Sequence, residues 1–383
     1  MTNEISIIIV LSLIIFASPL LSKLIKLPIV PIEIFLGSVA ISYNFIESDH
    51  IFTLVAELGF LYLMFLAGLE VDLKQILKIS AALFKKGLLY SIMLYIFAII
   101  FTWLFDLANI FIVTLPLISI GLLATLKKEY GDVVWLNNAI TIGLIGEIIS
   151  IVVLTAVSAI LEFGFSTTLY ETLTELAIVF VVMILFYNFF HHLIWWYPEL
   201  KTYLMPKHDN QEQDIRVSMS IFFLMIALML YLHLELALGA FIAGVFIKTF
   251  FRHNTGLPHK LEHFGFGWLV PIFFIWIGTS FDLNALLVSN LVEVSLLITF
   301  SMIFMRIASS MILRDEMNSK EILLFALSHS MPLTLLIAVA TLAYHNNSIS
   351  LFYYHAFILA SIFEVIFSMI IIRFLHVKKE GSF

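Results

Sequence analysis

The chain contains no cysteine, which excludes a disulfide framework, a redox-active thiol and a thiolate metal site. Charge is scarce too: 12% of its 383 residues are Asp, Glu, Lys or Arg, against 62% hydrophobic. That balance excludes a soluble domain, because apolar runs recur along the whole length and too little polar surface remains to cover them. No basic segment precedes the first apolar run, Ile5–Leu21, and no small-residue cleavage site follows it. The run therefore reads as a first spanning helix rather than a removable signal peptide. A nucleophile–base pair or a metal-ligand set at useful spacing is also missing, His191 and His192 included, which argues against a hydrolase or a transition-metal centre. The longest polar stretch, residues 196–215, has the length of a linker and not of a domain.

What is present is a series of thirteen apolar runs, at about 5–21, 29–45, 53–69, 86–105, 108–126, 134–161, 170–195, 216–233, 235–250, 264–281, 285–313, 321–343 and 349–375. Each is close to the length that crosses about 30 Å of hydrocarbon at about 1.5 Å per helical residue. The loops between them divide by charge. With the N-terminus outside, nineteen of the twenty Lys and Arg residues fall in cytoplasmic segments, from Lys23 and Lys26 to Lys378 and Lys379. The outer loops then hold only acids and neutral residues, such as Asp49, Asp106 and Asp282. This bias predicts an outside N-terminus and a cytoplasmic C-terminus.

A few ionisable residues interrupt the apolar runs, and in a membrane such residues point to function or to pairing. Glu147 lies in the middle of the sixth run, Arg306 inside the eleventh and Glu364 inside the thirteenth, the last with no assignable partner. Gly143 and Ser150 share the face of Glu147. Pro116 and Gly121 predict a kink in the fifth run, and Pro332, beside Ser328, His329 and Ser330, predicts one in the twelfth. His329 is either a proton-coupled group or a helix-packing histidine. Glu70 and Asp72 close the third run at its cytoplasmic mouth, where they either raise local cation concentration or pair with Lys74. Glu33 reads as pairing with Lys26 or reaching the interface.

Several of these segments carry a resemblance. The third run, Glu57-Leu-Gly-Phe-Leu-Tyr-Leu-Met-Phe-Leu-Ala-Gly-Leu-Glu-Val-Asp-Leu73, and the fifth, Ile118-Ser-Ile-Gly-Leu-Leu-Ala-Thr-Leu-Lys-Lys-Glu-Tyr-Gly131, resemble the monovalent cation:proton antiporter superfamily. The branch is that of Kef-type potassium efflux systems and NapA-type sodium/proton exchangers. The ninth run (Leu238-Gly-Ala-Phe-Ile-Ala-Gly244) and the tenth (Pro271-Ile-Phe-Phe-Ile-Trp-Ile-Gly278) are similar to it as well. The third and tenth runs echo each other, ending on opposite sides, as an inverted repeat leaves them.

The resemblance implies an all-α polytopic membrane protein of about thirteen spans, with inverted repeats and two broken, crossing helices of the NhaA/NapA kind. It implies one membrane domain over 1–383, with an ion-translocating bundle at about 86–161 and 285–375, the remaining helices serving as scaffold or dimer contacts. The last residues, Lys378 to Phe383, are read as leaving no soluble regulatory domain. Glu147 matches the position that takes up a monovalent cation or proton, with Ser119 and Ser330 as further ligands. Arg306 matches its charge partner, and Pro116, Gly121, Gly146, Ser328, His329 and Pro332 lie at the helix breaks. The pattern departs from the family at Ile118, where a Thr is usual, and at Gly146, where a polar residue is usual. The expected activity is exchange of sodium or potassium for protons by alternating access, with no enzymatic reaction, cofactor or nucleic acid. The expected surroundings are the lipid bilayer of the cell membrane and a homodimer. The alternatives are a transport-inactive sensor or scaffold of the same fold and a potassium efflux channel-like system.

Overall fold

The computed structural model describes residues 2–25, 28–46, 49–70, 79–120, 130–163, 212–232, 236–251, 256–280, 288–345 and 347–377, with single positions within 121–129 and 164–199 and Asn254. Every regular element among them is helical. In chain order these are α1 (Thr2–Ile25), α2 (Ile29–Ser42), α3 (His50–Glu70), α4 (Ala81–Leu104), α5 (Phe111–Thr114) and α6 (Val134–Phe163). There follow α7 (Gln213–Tyr231), α8 (Leu236–Phe250), α9 (Leu257–Phe264), α10 (Val270–Thr279), α11 (Leu291–Ser310), α12 (Ser319–His329), α13 (Leu333–His345) and α14 (Leu351–Val377). Among the described residues, seven helices are long and apolar enough to cross a membrane: α1, α3, α4, α7, the run through α9 and α10, α11 with its 3₁₀ extension, and α14. The expected seventh run, 170–195, lies largely outside the described residues, as do Asp72 and Gly121.

The chain divides into two compact units, Met1–Leu73 with Phe163–Asn284, and Lys74–Glu162 with Ala285–Phe383. The first holds α1–α3 and α7–α10. Its helices cross at paired glycines. A Cβ on Gly68 of α3 would strike the Phe241 carbonyl of α8, and one on Gly244 of α8 would strike the Phe65 carbonyl of α3. Gly37 of α2 and Gly278 of α10 block each other in the same way, against the Ile275 and Ile34 carbonyls. Lipid tails leave no hydrophobic drive between helices, so such close backbone contact is what holds them. Ser38 adds a bond to the Gly278 carbonyl at 3.0 Å. Between α9 and α10 the helix widens into a π turn, Gly265–Leu269, where Pro271 removes the amide that would meet the Gly267 carbonyl. Glu33 is buried in this unit and accepts a hydrogen bond from Ser18 at 3.2 Å.

The second unit holds α4–α6 and α11–α14. Two of its expected spans are not continuous helices. The fifth starts as α5, one turn long, and turns at Leu115 and Pro116 into the non-helical stretch Leu117–Ile120. The twelfth splits into α12 and α13 around Ser330, Met331 and Pro332. Each proline lacks the amide that would continue the preceding helix. At its other end α12 is fixed by a capping box, in which Asn318 accepts from the Glu321 amide and Glu321 accepts from the Asn318 amide.

Candidate ion site at two helix breaks

Both breaks converge on one guanidinium. Arg306, on α11, is wholly buried. Its Nη2 donates to the Leu117 carbonyl in the first break at 2.6 Å, and its Nε donates to the His329 carbonyl at the second at 2.9 Å. Nη1 donates to the Met302 carbonyl one turn back on α11, also at 2.9 Å. The planar fork of arginine suits this, since its N–H groups point in fixed, divergent directions. Helix C-termini carry partial negative charge on unsatisfied carbonyls, so a cation beside the end of α12 is favoured. Arg306 thus sits where two interrupted backbones present carbonyls that their own helices cannot use.

Glu147 reaches the first break from α6. It is 2% exposed, and its Oε1 accepts a hydrogen bond from the Ser119 hydroxyl at 3.4 Å. One turn along α6, Ser150 accepts the Ile118 amide at 3.1 Å. Three successive residues of the break are therefore held from outside it: Leu117 by Arg306, Ile118 by Ser150 and Ser119 by contact with Glu147. Irregular backbone at this depth is tolerated where neighbours satisfy it.

The two departures from the family pattern fit together. A Cβ on Gly146 would strike the Ile118 side chain, whose Cδ1, Cβ and Cγ1 fill that space. Ile118 occupies the room that a polar residue at 146 would need, so the two positions form one apolar contact and supply no ligand.

At the second break the polar residues turn inward. The Ser330 hydroxyl donates to the Ala326 carbonyl at 3.0 Å and the Ser328 hydroxyl to Phe325 at 2.7 Å, while the Ser330 carbonyl accepts from Ser368 of α14 at 3.3 Å. His329 is buried, with Nε2 2.8 Å from the Ala139 carbonyl and Nδ1 3.3 Å from the Tyr90 hydroxyl. A carbonyl only accepts, so Nε2 carries the proton and Nδ1 accepts from Tyr90. Both ring nitrogens are engaged, the geometry of a packing histidine that ties α12 to α4 and α6. Glu70 ends α3 in the first unit.

Glu364 stands 3.9 Å from Nη1 of Arg306, an ion pair that the sequence reading, which sets Arg306 against Glu147, does not assign. Sequence reasoning left Glu364 without a partner. The available signal was positional: each acid sits mid-helix with a serine one turn on, Glu147 with Ser150 and Glu364 with Ser368, and each serine meets a break.

Comparisons with known proteins identify the family. YjbQ of Bacillus subtilis strain 168, named for Na(+)/H(+) antiport, is 26% identical over 410 residues, 99% of this chain and 64% of that protein. The chain thus spans less than two thirds of YjbQ's length. The K(+)/H(+) antiporter subunit KhtU of the same organism is 26% identical over 290 residues, 71% of this chain and 69% of KhtU. The fold is that of the sodium proton antiporter MjNhaP1 from Methanocaldococcus jannaschii, with a TM-score of 0.70 at 17% identity over the whole of both chains. The family described as sodium/hydrogen exchanger, transmembrane, matches residues 9–378, and the chain belongs to it, as a multi-pass membrane protein.

Proposed function

We propose that the chain exchanges a monovalent cation, sodium or potassium, for protons across the plasma membrane, with Glu147 as the coupling carboxylate. The observation that carries the reading is the buried Glu147 carboxylate meeting the Ser119 hydroxyl at a helix break, in a chain of the exchanger family. A charged carboxylate is costly to carry through a membrane. Either a proton or a cation neutralises it, and the two compete for one site. The cation is held by the Glu147 carboxylate and the Ser119 oxygen, with backbone carbonyls of the break nearby. Arg306 keeps the two breaks together while the site exposes first one side and then the other, by rocking of one bundle against another.

The reading extends to thirteen spans, an outside N-terminus, inverted repeats and a homodimer. The reciprocal glycine crossings, α3 with α8 and α2 with α10, support the repeats, because they are the pairs that a two-fold exchanging α3 with α10 and α2 with α8 interconverts. The relatives are named for sodium and for potassium, so both cations enter the test. Purified protein in proteoliposomes is expected to move protons in response to a sodium or potassium gradient, with lithium as a further probe. Glu147→Gln is expected to abolish that flux, and flux retained in the variant refutes the assignment.

A further inference from the structure

The mechanism above leaves the buried acid Glu364 unused. Glu364 lies in the middle of α14, has no exposed surface, and neither of its oxygens accepts a hydrogen bond among the described residues. An ionised carboxylate so placed is sustained by a counter-charge or not at all, and the cation within 4 Å is Arg306. Arg306 has the complementary need. Three of its five N–H groups are given to the Leu117, His329 and Met302 carbonyls, dipoles that orient a guanidinium without cancelling its charge.

Among the described residues, Arg306 is the charged group that comes within 4 Å of Glu364. α14 packs against α11, α12 and α13. α11 presents Arg306, and α12 ends in His329, whose ring is turned to Tyr90 and Ala139. Along α13, Leu333–Thr341 contains no ionisable residue, and the flanking titratable positions of α14, His355 and Arg373, are nine residues from Glu364 on either side. The first break carries the effect onward, since Arg306 holds Leu117 and Ser119, two residues later, meets Glu147.

We propose that Glu364 is the resident counter-charge of Arg306 and, through it, a positioning residue that sets the cation affinity of the Glu147 site without touching the cation. The two mid-helix acids have divided their roles. Glu364 faces a fixed internal cation, and Glu147 faces the exchangeable one. With Glu364 neutralised, the guanidinium acts unbalanced on the stretch that cradles the cation and opposes its entry.

This inference rests on Glu147 as the exchange site, and the test separates the two. Cation-driven proton flux is measured in proteoliposomes for the whole chain, for E147Q, and for E364Q, E364D and the double variant R306Q/E364Q. E364Q is expected to raise the KM for the driving cation about tenfold, with the maximal rate held within about threefold. E364D is expected to bring KM back toward the parent value. A KM for E364Q within about twofold of the parent, with E147Q inactive, overturns the inference and leaves the exchange site standing. Flux retained in E147Q removes the site itself. If E364Q fails to fold, the double variant, which removes both charges, is expected to recover monodisperse protein; a double variant no better than E364Q also overturns the pairing.

Discussion

Ile118 and Gly146 show how a single side chain decides what a transport site offers. Each replaces a residue that the family pattern leaves polar, and each looks like a separate loss until the contact between them is seen. Asparagine at 146 alone has no room. Gly146→Asn is expected to cost about 1–3 kcal/mol of stability through overpacking, and adding Ile118→Thr should recover part of it, read as thermal unfolding in detergent. The same scale governs Arg306. Lysine keeps the charge but not the fork. Arg306→Lys is expected to leave at least one of the three carbonyls unsatisfied, at about 1–3 kcal/mol each. An unfolding temperature equal to the parent's would show that the fork is dispensable.

Among the elements, the broken helices and the glycine crossings have different origins. Pro116 and Pro332 made the breaks legible, since a missing amide is a property of the residue itself. How far the first break extends was not legible, because Leu117, Ile118 and Ile120 are compatible with a helix. They stay out of it because Arg306 and Ser150 bind the backbone groups that a helix would consume. The crossings follow from small residues at spacings of three to five, which mark close packing without naming the partner. Gly244→Val is expected to push α8 off α3 and lower the unfolding temperature, whereas Gly267→Ala, at a position with open space around it, should leave it nearly unchanged. Equal losses in the two variants would remove close approach as the reason.

At the scale of the whole molecule, charge distribution bears on orientation and the absence of cysteine makes that testable. The proposed topology puts Asn109 outside and Ser319 in the cytoplasm, and both are exposed. In a chain with no native thiol, Asn109→Cys is expected to react with a membrane-impermeant maleimide in intact cells. Ser319→Cys should react only after permeabilisation. The reverse pattern would invert the topology, and labelling of both in intact cells would break the alternation of spans.

Composition and local pattern were sufficient for the membrane class, the family, the places where two helices stop, and the three ionisable residues that need explaining. These are properties of a residue or of a short window, and the energetics of hydrocarbon make them hard to disguise. Only the tertiary structure shows that Glu364 comes within 4 Å of Arg306, that Ile118 fills the space beside Gly146, and that Ser150 and Ser368 hold the breaks. The contacts around the breaks join residues as far apart as Leu117 and Arg306, 189 positions in sequence. The sequence shows that Glu147, Arg306 and Glu364 each require a partner; which atoms come within reach of them depends on how α6, α11 and α14 pack around the two breaks.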